Sequence, residues 1–555
     1  MAMRKRMILL VAITFIVMVL MLGGTLGFLL KKATSQFSAA SSSFEVSSDR
    51  QYAEESIGAP TSSSRYATDS TMNAPMAEST KSVAGGGGGA SQGADDGAIG
   101  PQHFDAMFFQ DYGTNLFIPT RLDPVSTFGV DVDTASYTIA KNYIMRGSLP
   151  PTDAIRAEEF INYPDYEYEA AFNDSASSLY HDTIFAVHAT MTDSPFDEDT
   201  RFLSIGLKAQ ELAKRKPTTL TFVIDISGSM SRDNRLGLVK RSLYLLLDEL
   251  DERDEVSIIV YNTNARKHME MTTLSEKETI ESAIDRLSAS GSTNAEAGLE
   301  LGYKTALEHL EDGRNNRVVL LSDGVANVGA TDPDSILHEL EEYHQKGIML
   351  TCIGVGMGNY NDVLLEQIAD NGDGNYYYIN EFDEARRVFS ENLAQTMQTV
   401  AKDAKVQVTF SDRVSRYRLI GYENRALADK DFTNDSKDAG EIGAGHEVTA
   451  LYELELNGTG SVGKIAFRYQ GADSNITRSM EKDLPGETLA FDQAPSYARK
   501  AVAMGRFALI LKMAAPPPSI STVGEILSSM DDPYEINDVV TNTKGLIEAR
   551  QEVSS

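Results

Sequence analysis

Between Pro217 and about Val400, short apolar runs alternate with amphipathic stretches, a pattern that few folds tolerate. "LTFVIDI" reads as a strand and "RLGLVKRSLYLLLDEL" carries a helical stripe. "EVSIIVYN" is again strand-like, while "EKETIESAIDRL" and "NAEAGLELGYKTALEHL" are helical. "NRVVLLSDG", "IMLTCIGVG" and "NYYYIN" read as further strands, separated by the helical "DPDSILHELEEYHQKG" and "NDVLLEQIAD". Asp332 and Pro333 suit the cap and first turn of the former. "EFDEARRVFSENLAQTMQTV" closes the unit as a helix. Like-directed strands need a crossover, and a helix supplies it. The expected fold class is therefore α/β, a doubly wound and mostly parallel sheet with helices on both faces. Such sheets bind ligands beyond the carboxyl ends of their strands.

That rule gives meaning to "TFVIDISGSM", residues 221–230. An apolar strand runs into Asp225, Ser227 and Ser229, three oxygen-bearing side chains at every second position. "SASGSTNAEAGL" places Thr293 in a Gly/Ser loop before a helix, and "VVLLSDG" places Asp323 directly after a core strand. Asp225, Ser227, Ser229, Thr293 and Asp323 supply hard oxygen donors with no nitrogen or sulfur. Such a set favours Mg²⁺, Mn²⁺ or Ca²⁺ over zinc or copper. Short hydroxyls with carboxylates behind them suit Mg²⁺ best, since it keeps water in its shell.

In these residues the stretch resembles a von Willebrand factor type A domain. D-x-S-x-S, then Thr, then Asp, is similar to that family's metal-ion-dependent adhesion site. The resemblance covers 217–400 and implies that Ser227, Ser229 and Thr293 bind the cation directly. Asp225 and Asp323 would act largely through water, and an acidic residue of a protein partner would complete the shell. Asp233 has two readings: support for an adjacent second cation, as in some members, or a helix-start residue. The flanks at 122–168 and 417–453 resemble segments that bracket the domain in a largely uncharacterised family of bacterial surface proteins.

β structure is expected around the domain. "YHDTIFAVHATMT" and "TRFLSIGLKA" precede it, and "AKVQVTFSDRVSRYRLIGYE", "VTALYELEL" and "KIAFRYQ" follow. One β-sandwich built from both sides of an insertion accounts for them. A 217–400 fragment would then fold alone. The expected layout is 104–180, an N-terminal family segment; 181–216 and 401–485, the sandwich; 217–400, the inserted domain; and 486–555, helices broken at Pro516-Pro517-Pro518.

Ahead of the body, Met7–Leu30 is uncharged and mostly apolar, flanked by Arg4-Lys5-Arg6 and Lys31-Lys32. About 20 such residues span a bilayer as a helix, and a secretory signal's apolar region is shorter, about 7–15 residues. No cysteine follows it to carry a lipid. The expectation is a single-pass cell-membrane anchor with 1–6 cytoplasmic and the body extracytoplasmic. Residues 31–103, rich in Ser, Ala and Gly, make a disordered tether. Cys352 is the only cysteine, which excludes an intramolecular disulfide. The net charge of −31 argues against nucleic-acid partners.

Several catalytic signals fail on context. "GASQG" lies in the tether, with no strand and helix to expose its serine. "GTGSVGKI" has Ile465 where a phosphate loop needs Ser or Thr, and reads as a hairpin turn. "DVDTA" (131–135) lacks a strong strand ahead of it and reads as a polar turn or cap. "HELEEYH" spaces His338 and His344 by six, off the face a zinc pair needs. No base or nucleophile accompanies the five oxygen donors, so the reading is a binding protein and not an enzyme. A scaffold with a structural metal and a metal-assisted hydrolase are the competing classes. Oligomeric state is not legible. Protease added to intact cells is expected to cut the tether and release the body, and cleavage only after lysis would reverse the orientation.

Overall fold

Five strands precede the α/β unit: β1 (Met107–Phe108), β2 (Ile118–Pro119), β3 (Val125–Gly129), β4 (Phe185–Asp193) and β5 (Arg201–Ala209). The structure is a computed structural model describing residues 107–169, 184–324 and 343–554. Short omissions fall at 213, 344–345, 357–359, 371, 373, 393–394, 396, 436, 438, 473–475 and 532–534. The apolar segment 7–30, the tether, His338, His344 and most of the helix read from Asp332 lie outside the described residues. Among the described residues no helix is long and apolar enough to cross a membrane.

The unit itself supplies β6 (Thr218–Asp225), β7 (Glu255–Tyr261), β8 (Ala265–Thr273), β9 (Asn315–Ser322), β10 (Met349–Val355), β11 (Tyr360–Asn361) and β12 (Tyr376–Ile379). Six of them form one sheet in the order β12-β10-β9-β6-β7-β8. All neighbours run parallel except β7 and β8. All of β6 is buried because helices cover both faces. Leu220, Phe222 and Ile224 pack with Leu246 of helix Arg235–Glu249 and Ile280 of helix Lys277–Asp285. Val223 points to the other face, among Leu299 and Tyr303 of helix Ala295–Glu308. There Gly298 and Gly302, one turn apart, let the helix sit close. A Cβ on either would fall 2.6 Å from Tyr261 or 2.4 Å from Val223. β8 carries charged residues on an edge, which hid it from the apolar pattern.

Around this unit lie β13 (Thr399–Phe410), β14 (Val414–Ile420), β15 (Gly440–Gly443), β16 (Glu447–Leu456), β17 (Gly463–Gly471) and β18 (Thr477–Asp483). One five-stranded sheet runs β15-β13-β17-β18, with β3 also on β13; the other runs β2-β14-β16-β5-β4. Each mixes strands from both sides of the insertion, and their inner faces share one core. Ala450, Tyr452 and Leu454 of β16 point into it. Leu451 points the other way, onto helix Ser496–Leu511, where Gly505 lies against it.

Three expectations change. The 457–462 loop links β16 to β17 in a different sheet, so it crosses between sheets and is not a hairpin turn. The closing helix is short: Phe382–Arg386 continues as a π-turn to Glu391, and Thr399 and Val400 already belong to β13. The β-branched Thr399 there pairs with Gly443 of β15. Finally, 217–400 does not close its own core. Helix Ala135–Met145 from the N-terminal segment places Ala135, Ile139 and Tyr143 in the cluster that covers one face of the six-stranded sheet. A spacing of four sets these three on one helical face. Its Tyr137, Ala140 and Ile144 pack instead with the C-terminal helices.

Ile139→Ala is therefore expected to destabilise the inserted unit by about 2–4 kcal/mol. The excised 217–398 fragment should unfold at lower urea than the whole chain. Circular dichroism reads both, and wild-type stability in both would show that this helix is dispensable.

Candidate metal centre

β6 and β9 are central neighbours, so their carboxyl ends bring Asp225 and Asp323 to one rim. Asp225 is fully buried and Asp323 nearly so. The chain leaves β6 in extended backbone at Ser227 and enters a tight turn, Gly228–Asn234. Within it the Ser227 amide donates to Asp225 Oδ1 at 2.7 Å. Ser229 Oγ donates to Asp323 Oδ1 at 2.9 Å, and the two serine hydroxyls lie 2.9 Å apart. With the Ser229 proton committed to Asp323, Ser227 is the donor between them. The result is a relay of two hydroxyls that ends on Asp323, tied to Asp225 through the Ser227 amide.

Thr293 reaches this rim through its loop. The Gly228 amide donates to the Gly291 carbonyl at 2.9 Å, and the Ser290 amide to the Ile226 carbonyl at 2.7 Å. Gly291 takes φ +85°, which the turn needs. Asn294 then caps helix Ala295–Glu308 through its side chain, 3.2 Å from the Ala297 amide. Thr293, nearly buried, stands just ahead of that cap. Asp233 stands apart. It sits one residue before the left-handed Asn234 that precedes helix Arg235–Glu249, so it does not cap the helix. Its side chain is 63 % exposed, with Arg235 Nη2 3.9 Å from its carboxylate.

Two participants went unread in the sequence. Ser322 Oγ lies 3.1 Å from Asp225 Oδ2 and 2.5 Å from the Gly324 carbonyl, so its one proton is shared between these two acceptors. Arg235 Nη1 donates to Asp323 Oδ2 at 2.6 Å with its side chain only 5 % exposed. Ser322 could have been suspected from its place beside Asp323. Arg235 had no such signal, because it opens a helical stripe and reads as a solvated end. Asp323 is thus held by two donors, one per oxygen, and Asp225 by the Ser227 amide with Ser322 beside its other oxygen.

Burial pushes the Asp225 carboxyl up to about 7, with the charge of Asp323 adding and the Ser227 amide opposing. Desolvation dominates, and a cation beside the carboxyl would favour its charged form again. The donor chemistry fits a hard divalent cation: hydroxyl oxygens in front, carboxylates behind. Among the described residues no group of three or more His, Cys, Asp or Glu could hold a metal. Hydroxyls would thus have to supply part of any shell at this rim.

Residues 219–391 match the family profile "von Willebrand factor type A domain". Residues 395–481 match "Uncharacterized protein YfbK, C-terminal", and 103–204 match "von Willebrand factor". This chain carries a von Willebrand factor type A domain with a YfbK-type C-terminal block. It is 39 % identical over 376 residues to "Uncharacterized protein YfbK" of Escherichia coli K12, covering 67 % of this chain and 64 % of that protein. It is 28 % identical over 295 residues to "Uncharacterized protein sll0103" of Synechocystis, covering 51 % and 69 %. Against human inter-alpha-trypsin inhibitor heavy chain H4 it is 28 % identical over 202 residues, 35 % of this chain and 21 % of that one. The chain thus spans just under two thirds of the E. coli relative. The domain is typically a protein-interaction fold, and the relay occupies the rim where its ligands would bind.

The sign of the Asp225 shift yields a stability prediction. A carboxyl raised in the folded state stabilises below its unfolded value near 3.8, and that contribution is lost as pH rises through about 7. In chelator at pH 8, Asp225→Asn is expected to raise stability by roughly 2–4 kcal/mol. It should abolish any further stabilisation by Mg²⁺. Thermal melts at pH 5 and pH 8 check both, and a variant less stable than wild type at pH 8 would contradict the assignment.

Proposed function

We propose that this chain is a membrane-tethered, extracytoplasmic binding protein that captures an acidic residue of a protein partner through a divalent cation. The observation that carries the reading is the hydroxyl relay from Ser227 through Ser229 to Asp323, beside buried Asp225. Ser227, Ser229 and Thr293 would hold the ion, for which their short hydroxyls suit Mg²⁺, with Asp225 and Asp323 offsetting its charge. The ion would supply an electrophilic point for a carboxylate. Gly228 is exposed and Ser229 half-buried, so the relay opens to solvent on that side. The segment 7–30 would anchor the body, with the tether giving it reach.

A structural metal in a scaffold is the second reading, favoured by the depth of Asp225 and Ser227, 0 % and 1 % exposed. Pull-down from envelope extract separates the two. Capture by wild type in Mg²⁺ is expected to fall at least tenfold in chelator and with folded Asp225→Ala. Equal capture by the metal-free protein would leave the ion structural and remove the adhesion reading.

A further inference from the structure

Arg235 is an unusual neighbour for a cation site. Its guanidinium is buried, with Nη1 2.6 Å from Asp323 Oδ2. The side chain lies across Gly356, just past the carboxyl end of β10, where φ is +76°. A Cβ at 356 would fall 2.6 Å from Nε, so glycine there leaves the arginine its path. The arginine is thus built into the rim, and it faces the carboxylate that Ser229 holds from the other side.

We propose that Arg235 sets the charge balance of the centre, so that a bound dication remains one positive charge in excess until a carboxylate joins it. The proposal rests on the metal-binding reading above. Among the described residues, Asp225 and Asp323 bring two negative charges to the relay and Arg235 one positive. Asp233 is mostly exposed, so water screens it. With both carboxyls ionised, as a bound dication would hold them, the cation turns a net −1 into +1, and one partner carboxylate closes the balance at zero. Without the guanidinium the two aspartates alone would neutralise the ion, and an acidic ligand would gain less. Arg235 therefore weakens the cation alone and strengthens the cation together with an anion. By linkage, an anion must tighten the cation by the same factor. This makes Arg235 a specificity-determining residue for acidic over neutral ligands.

Calorimetry with Mg²⁺, at fixed ionic strength with and without acetate, tests this on the full body of the protein. Wild type should bind Mg²⁺ several-fold more tightly with acetate, and neutral acetamide should have no effect. Arg235→Gln keeps a donor for Asp323 but drops the charge. It should bind Mg²⁺ alone about tenfold more tightly and lose the acetate enhancement, while Arg235→Lys keeps it. Weaker Mg²⁺ binding by folded Arg235→Gln would make the arginine only a positioning residue and overturn the charge assignment. If Arg235→Gln does not fold, the wild-type comparison decides: acetate with no more effect than acetamide ends the proposal. Absence of any Mg²⁺ binding by wild type would instead sink the metal reading itself.

Discussion

A buried ionic junction ties the three parts of this chain together. Arg156 of the N-terminal segment contacts Glu159 through Nε and reaches Glu366 of helix Asp362–Asp370 at 3.3 Å. Arg425, beyond β14, lies 3.2 Å from Asp131 and 3.6 Å from Asp133. Asp133 in turn accepts from the Tyr376 amide at the start of β12. Asn424 donates to Glu366 at 2.9 Å. Burying so many charges is costly unless each is paired, and removing one partner would strand the rest. The junction therefore specifies one docking of the inserted unit more than it adds net stability.

Apolar packing follows the same seam. Helix Ala135–Met145 has one face in the core of the six-stranded sheet and another among the C-terminal helices. Lys141 of that helix pairs with Glu384 at 3.0 Å, and Arg387 stacks on the Tyr163 ring at 3.9 Å. The α/β unit is thus held along its β12 side by the N-terminal segment, while the hydroxyl relay stands at the carboxyl ends of β6 and β9. A rim built on strands with completely buried cores keeps its donors in fixed geometry.

The "DVDTA" stretch, read as a polar turn or cap, shows how a local reading can be incomplete. Asp131 and Asp133 do form a local turn, the Asp133 amide donating to Asp131 Oδ1 at 2.9 Å. They are more than a turn or cap, however, because each meets a partner far away in sequence: Arg425 for both, and the Tyr376 amide for Asp133. Short polar motifs report their local turn. Their long-range partners depend on how distant segments fold back.

Local pattern alone yields the five parallel strands of the sheet, four of its helices and the rim position of Asp225, Ser227, Ser229 and Asp323. Periodicity and strand ends are local properties, and both survive without knowledge of the partner strands. The edge strand β8 escaped because its charges break the apolar pattern, and β15 because four residues carry too little of one. Only the tertiary structure could decide that residues 135–145 complete the inserted unit's core, that 457–462 crosses between sheets, and that Arg235 and Ser322 hold the two aspartates. Each of these depends on a contact between segments far apart in the chain or on the direction a side chain takes after folding, and one-dimensional spacing encodes neither.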